Sequence, residues 1–375
     1  MLVKQVYDLV NQATKQVLGE SVVLKEDLTN VVDIGTEIFN ANAQDNYVRA
    51  LVDHIGKVVF VNRPYSSRVP SVLMDAWEFG SVLEKVDMEL PNATENESWE
   101  LVDGAVYEQD QFYKPKVSVK FFNSKTTFEV PFSITEMQVK EAFSSATQLN
   151  AFVSMIYSKI DATLTLKVDA LIMRTINNFI GETINDANGV RYVKLLTNYN
   201  IGREKPLTTS QALKDVEFLK YASYQIKLYA SRMNVMSTLF NIGGKARHTP
   251  RDLMHIVLLD AFSSASDVYL QSDTFHNELV ALPKYESVPY WQGTGTSYAF
   301  EDVSKIDIKT ASGDDVVGSG IIGVIFDRDA LGVSNQNARV TTHRNDKAEF
   351  WNMWHKRDAS YFNDLNENFV VFAIA

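Results

Sequence analysis

The chain has no cysteine, which excludes disulfide staples and thiolate metal sites and fits a reducing compartment. No apolar run reaches the length needed to span a bilayer. The first residues, MLVKQVYDLVNQ, lack the apolar core of a secretory signal. Positive charge is also short: 36 Lys and Arg stand against 47 Asp and Glu, a net charge of −11. That balance argues against a surface built to neutralise phosphate, and against free nucleic acid as a high-affinity partner. Enzyme signatures are missing as well. Gly244-Lys245 is followed by Ala246, without the glycine spacing of a phosphate loop. There is no GxSxG elbow and no HExxH. The pairs His248/His255 and His343/His355 are not at metal-ligand spacings with acidic support. This leaves no catalytic, cofactor or metal residue to name with conviction. Asp260 and Asp327 follow apolar strand-length runs, where α/β enzymes place carboxylates; Asp also commonly ends strands in turns, and that reading is favoured.

What is present is apolar content for a large core, 45% of 375 residues, in one elaborate domain or two. The longest helical pattern lies between Ser133 and Gly181. Ser133-Ile134-Thr135-Glu136 reads as a capping box opening a short helix to about Phe143. Ser145-Ala146-Thr147-Gln148 repeats the device and opens a much longer one. Phe152, Ile156, Ile160, Leu164 and Leu171 fall on one stripe at steps of three and four, continued by Ile176 and Phe179. Asn150, Asp161, Lys167, Arg174 and Asn177 fall opposite, and Gly181 is the expected C-terminal stop. Such a helix spans about 50 Å, a strut across which other elements are laid.

Around the strut the pattern is shorter. Residues 3–18 form an amphipathic helix with Val10 and Ala13 on its apolar side. The pieces up to residue 63 make a poor core alone. Two strand-like stretches flank a polar middle between Pro64 and Pro131, with Val117, Val119 and Phe121 on alternate positions. From Glu84 to Asp110 nine acidic residues face only Lys85. That run is a solvated tip, or one that docks on a basic partner. Residues 185–209 read as irregular. A helix follows from about Ser210 to Met233, and then strand-like runs at LMHIVLLDAF, IIGVIFD, NARVTTHR, FWNMWHKRDASYF and NFVVFAIA, with ASGDDVVGSG as a loop. Arm and hairpin have no core of their own, so the monomer reads as unfinished.

The order of these elements, with YDLVNQAT, VVDIGTEIFN, LVDHIGKVVF, KEAFSSATQLNAFVSMIYSKID and FWNMWHKRDASYF, resembles major capsid proteins of tailed bacteriophages with the HK-97-type fold. The likeness is nearest to the phi-29-like group of short-tailed phages of Gram-positive hosts and runs over nearly the whole chain. The resemblance implies a mixed α+β fold: an N-arm (1–63), an extended E-loop (64–131), a P-domain with its spine helix (132–190), an A-domain (191–337) and a return to the P-domain (338–375). It implies a non-enzymatic shell subunit in the virion, assembled in the host cytoplasm as pentamers and hexamers. A scaffolding protein, a portal protein and double-stranded DNA held without sequence-specific binding are the implied partners; no membrane is. Glu95, Glu97, Glu100 and Asp103 at the E-loop tip, and His343, Arg344, Asp346 and Lys347 at the P-loop, become intersubunit positions. The spine's polar positions face the genome. A bacterial nanocompartment of the encapsulin type is the alternative within the fold.

Overall fold

The computed structural model describes residues 3–19, 69–74, 83–107, 112–135, 146–273, 283–293, 297–310 and 313–375, with isolated positions between 25 and 50 and at 110 and 137–138. Most of the arm, and the short helix to Phe143 beyond residue 138, lie outside the described residues. The chain divides into two compact units.

The first unit holds Met1–Ala76, Lys125–Ile172 and Val333–Ser360. Helix α1 (Val3–Leu18) has the expected bounds and buries Val10 and Ala13. A four-stranded sheet runs β1 (Leu73–Met74), β11 (Leu331–Asn345), β12 (Phe350–Asn363), β4 (Lys125–Thr135). β4 and β12 pair antiparallel from Lys125↔Ser360 to Thr135↔Phe350. That pairing carries β4 through Ser133, whose hydroxyl donates to Asn352 Oδ1 at 2.6 Å. The capping box therefore sits two residues later than the sequence pattern proposes: Gln138 N donates to Thr135 Oγ1 at 3.3 Å, and Thr135 N donates to Gln138 Oε1 at 3.0 Å.

Within β12, His355 is fully buried, and burial lowers its pKa from 6.5 to about 4. The folded pKa lies below the unfolded one, so the unfolded chain binds the proton first. Stability should fall as pH drops from about 6.5 towards 4, by up to about 3 kcal/mol from this group. Urea unfolding of the subunit followed through this range should show a component of the slope that His355→Leu removes. Identical slopes in both proteins would contradict the assignment.

The second unit holds Trp77–Ser124, Met173–Gly332 and Tyr361–Ala375. Its five-stranded sheet runs β5 (Tyr192–Lys194), β13 (Phe369–Ala373), β10 (Ile321–Asp327), β6 (Met254–Leu259), β7 (Glu286–Val288). Every residue of β10 and β13 is buried. Helices cover both faces, which is why these strands read as unbroken apolar runs instead of alternating ones. On one face Phe179, from helix α2 (Ala146–Asp186), stacks on Phe369 at 4.1 Å. On the other Tyr229, from α5 (Val216–Met233), meets Phe372 edge-on at 5.4 Å. The Asp215 carboxylate caps α5 by accepting from Phe218 N at 2.7 Å. The C-terminal strand, grouped by the resemblance with 338–375 of the P-domain, is thus a central strand of this second sheet. The stretch expected to be irregular supplies β5 and α3 (Leu195–Asn200). The expected loop ASGDDVVGSG contains β9 (Asp315–Gly318), paired with β8 (Ile306–Lys309).

Helix α2 begins at Ala146 as expected but continues past Gly181 to Asp186. A Cβ on Gly181 would lie 2.3 Å from Ile308 Cδ1, so this glycine makes room for β8 and is not a cap. The left-handed residue after the helix is Ala187, at φ 53°. Ile156, Ile160, Leu164 and Leu171 are buried as the stripe requires; the side chain of Phe152 lies outside the described residues. Asn177, placed on the polar face by its spacing, is buried and donates to Trp291 O at 2.7 Å. Beyond Met173 burial widens to take in Thr175, Asn177 and Thr183, while Arg174 stays exposed, so part of the helix's polar side there is an internal bonding position.

Candidate assembly surface

The hairpin between the two expected strands is a ribbon of β2 (Leu83–Met88) and β3 (Val117–Phe122) within the second unit. Its register sets Lys85 opposite Lys120, Val86 opposite Val119, Asp87 opposite Ser118 and Met88 opposite Val117. Alternation sends these pairs to opposite faces. The face turned to the body of the unit is polar: Lys85, Asp87 and Lys120 are there, with Phe122 tilted against Phe362 at 5.3 Å between ring centroids. The outward face is apolar but for Glu84, opposite Phe121. Val86, Met88, Val117, Val119 and Phe121 are all exposed, Phe121 to 64%. This is the reverse of a soluble hairpin, which hides its apolar face against its own core.

The tip beyond the ribbon continues the theme. Trp99 is 95% exposed and Phe112 83% exposed, with Leu101, Val102, Val106 and Tyr113 also open. Glu95, Glu100 and Asp103 are exposed among them; the side chain of Glu97 lies outside the described residues. The acidic residues nearest the ribbon are already paired within the chain. Asp87 lies 2.9 Å from Arg247, and Glu89 lies 3.0 Å from Lys245 and 3.6 Å from Lys116. The Lys245 hydrogen bond, with its charge, holds Glu89 below the usual carboxylate range.

Two loops bring the partners of the ribbon into place. Residues 234–249 fold back through paired Ser237 and Arg247 backbones, 2.9 Å each way. Buried Asn241 clamps this loop, donating to Lys245 O at 2.7 Å and accepting from Lys245 N at 2.8 Å. The turn between β12 and β13 presents Asp364 and Glu367. Gly243 N donates to Leu365 O at 2.8 Å, and a Cβ on Gly243 would lie 1.9 Å from Asn366 Oδ1. A side chain at 243 would displace that of Asn366 and sit 3.2 Å from its Cα, so glycine suits the close approach of the two loops.

The other anticipated intersubunit positions form the end of a second hairpin. His343 and Arg344 lie near the end of strand β11, and Asp346 and Lys347 lie in the turn 346–349. Asn345 Oδ1 accepts from Lys347 N and Ala348 N at 3.1 Å each, an Asx turn. Arg344 stacks over Trp351 and reaches Asp346 at 3.1 Å. His343, Asp346 and Lys347 are exposed. The two carboxylates weighed for catalysis have structural places. Asp327 ends β10 in a turn, its Oδ1 accepting from Asp329 N at 2.9 Å, and Asp260 opens helix α6 (Asp260–Asp273).

Among the described residues the arrangement leaves one largely apolar face of the ribbon, and the tip beyond it, exposed. The chain matches Staphylococcus phage Andhra, in a capsid structure, at 10% identity over 84% of this chain and 86% of that one, with a TM-score of 0.51. At that identity the likeness shows the fold alone. A chain of native bacteriophage P68, from a structure of its head fibre and inner core protein, matches at 10% identity over 84% and 86%, TM-score 0.47. One from the cyanophage P-SCSP1u capsid matches at 11% over 84% and 92%, TM-score 0.43. No curated protein matches the chain. The family model described as Phi29-like phage major capsid protein matches residues 10–373, nearly the whole chain. That match disfavours both the nanocompartment and the enzyme readings. The chain belongs to the Phi29-like phage major capsid proteins, structural proteins that form the phage shell from copies of themselves.

Proposed function

We propose that the hairpin completes the shell by seating its outward face and tip on a neighbouring subunit, as the E-loop of this chain. The observation that carries this reading is the reversed ribbon. Five apolar ribbon side chains and a tip bearing Trp99 and Phe112 have no cover within the chain. Such an area is stable in water only when another surface closes over it. The turn 346–349, with His343 and Arg344 beside it, serves as the P-loop contact between capsomers. The first unit corresponds to the P-domain and the body of the second to the A-domain. A scaffolding protein guides closure into pentamers and hexamers in the host cytoplasm, and a portal protein takes one vertex. The packaged double-stranded DNA is held without sequence-specific contacts. The net charge of −11 favours this, since an acidic wall does not adhere to a genome being driven past it.

Magnitudes rank the two kinds of tip contact. An exposed ion pair contributes about 0–1 kcal/mol, whereas a buried aromatic anchor is commonly worth about 2 kcal/mol or more. Reversing Glu95, Glu97 and Glu100 together to Lys should therefore leave the subunit folded and reduce, without abolishing, particle yield at low salt. Raised salt should narrow the gap, because screening weakens the new repulsion. Wild-type yield at low salt would remove the acidic residues from the contact and leave the aromatic ones.

A further inference from the structure

Among the described residues, the inward face of the ribbon holds the body largely through ion pairs, beside half-buried Leu83 and Phe122. Lys85 and Lys120 stand directly opposite each other on the two strands, and like charges so placed repel. The Asp364 carboxylate sits between them. Its Oδ1 is 3.0 Å from Lys120 Nζ and its Oδ2 is 3.3 Å from Lys85 Nζ, with its side chain only 3% exposed. Lys85 also donates to Asp329 O and lies 3.9 Å from Glu367. Arg247 bridges from the ribbon to the body, 2.9 Å from Asp87 and 3.2 Å from Glu367. Lys245 adds the pair with Glu89. Burial alone would raise the Asp364 carboxyl, but the two lysines outweigh it and hold it below the usual range. Phe362 adds apolar contact across this junction, meeting Phe122 and lying under Lys85 at 5.3 Å. A cleft of about 290 Å³ remains there, lined by Lys85, Asp87, Lys120, Arg247, Asp364 and Glu367.

Interdigitated apolar packing accepts one arrangement; long charged side chains around a cleft can pair at several angles. The ribbon and all the charged groups that hold it lie within the second unit. We propose that Asp364, Glu367 and Arg247 form an ionic clasp that sets the angle of the hairpin on its own subunit and lets it pivot as a rigid ribbon when the pairs open. This holds wherever the outward face docks.

The absence of cysteine makes the test clean. Leu90→Cys on the hairpin and Val268→Cys on α6 are exposed positions for spin labels on the full-length, unassembled subunit. Pulsed dipolar spectroscopy should give one narrow distance distribution with the clasp intact. Lys120→Met with Arg247→Met should broaden or shift it in a variant whose circular dichroism still shows a folded body. Should the double variant fail to fold, two arms still decide: Lys120→Met alone, whose side chain is 42% exposed, and the natural clasp taken from about 0.1 M to about 1 M salt, where the Debye length falls from about 10 Å to about 3 Å. Broadening in these arms supports the clasp. A distribution that stays narrow in them shows a hairpin fixed by packing and overturns the proposal.

Discussion

Replacing Trp99 and Phe112 together by alanine should abolish particles while leaving a folded, soluble subunit. Both side chains are almost fully exposed within the chain, so their removal takes nothing from its core, and a stability change within about 0.5 kcal/mol is expected. In a shell the same two rings would be buried. An aromatic side chain offers about 150–250 Å² of contact, and truncating an anchor of this kind commonly loses about 2 kcal/mol or more. Two such losses weaken each contact by about a thousand-fold, repeated at every subunit. The effect should exceed that of the Glu95/Glu97/Glu100 reversal at any salt concentration. Sedimentation of assembly reactions, with circular dichroism of the unassembled variant, separates assembly from folding. Normal particles from the double variant would remove the tip from the interface.

The second large effect belongs to the strut. Ile160 is 1% exposed, one turn from buried Ile156 and one from buried Leu164. Ile160→Asp would strand a charge in apolar surroundings, at a loss of several kcal/mol. Domains are stable by only about 5–15 kcal/mol, so soluble yield should collapse. Asp161→Ala, at the half-exposed next position, should stay close to wild type. Equal soluble yields from the two variants would mean that the buried stripe has been placed on the wrong side of the helix.

These residues also show how far the sequence could be read. Local signals were decisive where one element settles its own fate. The steps of three and four that place Ile156, Ile160, Leu164 and Leu171 on one stripe describe a buried face, and that face is buried. The unbroken apolar runs at IIGVIFD and NFVVFAIA are strands covered on both sides. Reading failed where a distant partner decides. Gly181 looks like a stop until Ile308, far along the chain, needs the space. Ser133 and Thr135 both offer capping chemistry, and the pairing of β4 with β12 selects Thr135. Asn177 looks like a surface residue until Trp291 arrives to accept its hydrogen bond.

The ribbon is the sharpest case. The alternation of Lys85 and Asp87 with Val86 and Met88 is plain in the sequence. Period alone cannot say which face turns inward, and the usual rule chooses the apolar one. Here the charged turn Asp364–Glu367 and the loop carrying Arg247 take the polar face instead. If the outward face docks on another copy, as proposed, it obeys the hydrophobic rule once that copy is counted.

The most direct measurement is a cryo-electron microscopy map of the assembled shell at side-chain detail. The account predicts that Val86, Met88, Val119 and Phe121 of one subunit, with Trp99 and Phe112 beyond them, lie buried against a second copy of the chain. A shell in which that face stands open to solvent, its neighbours joined elsewhere, would contradict it.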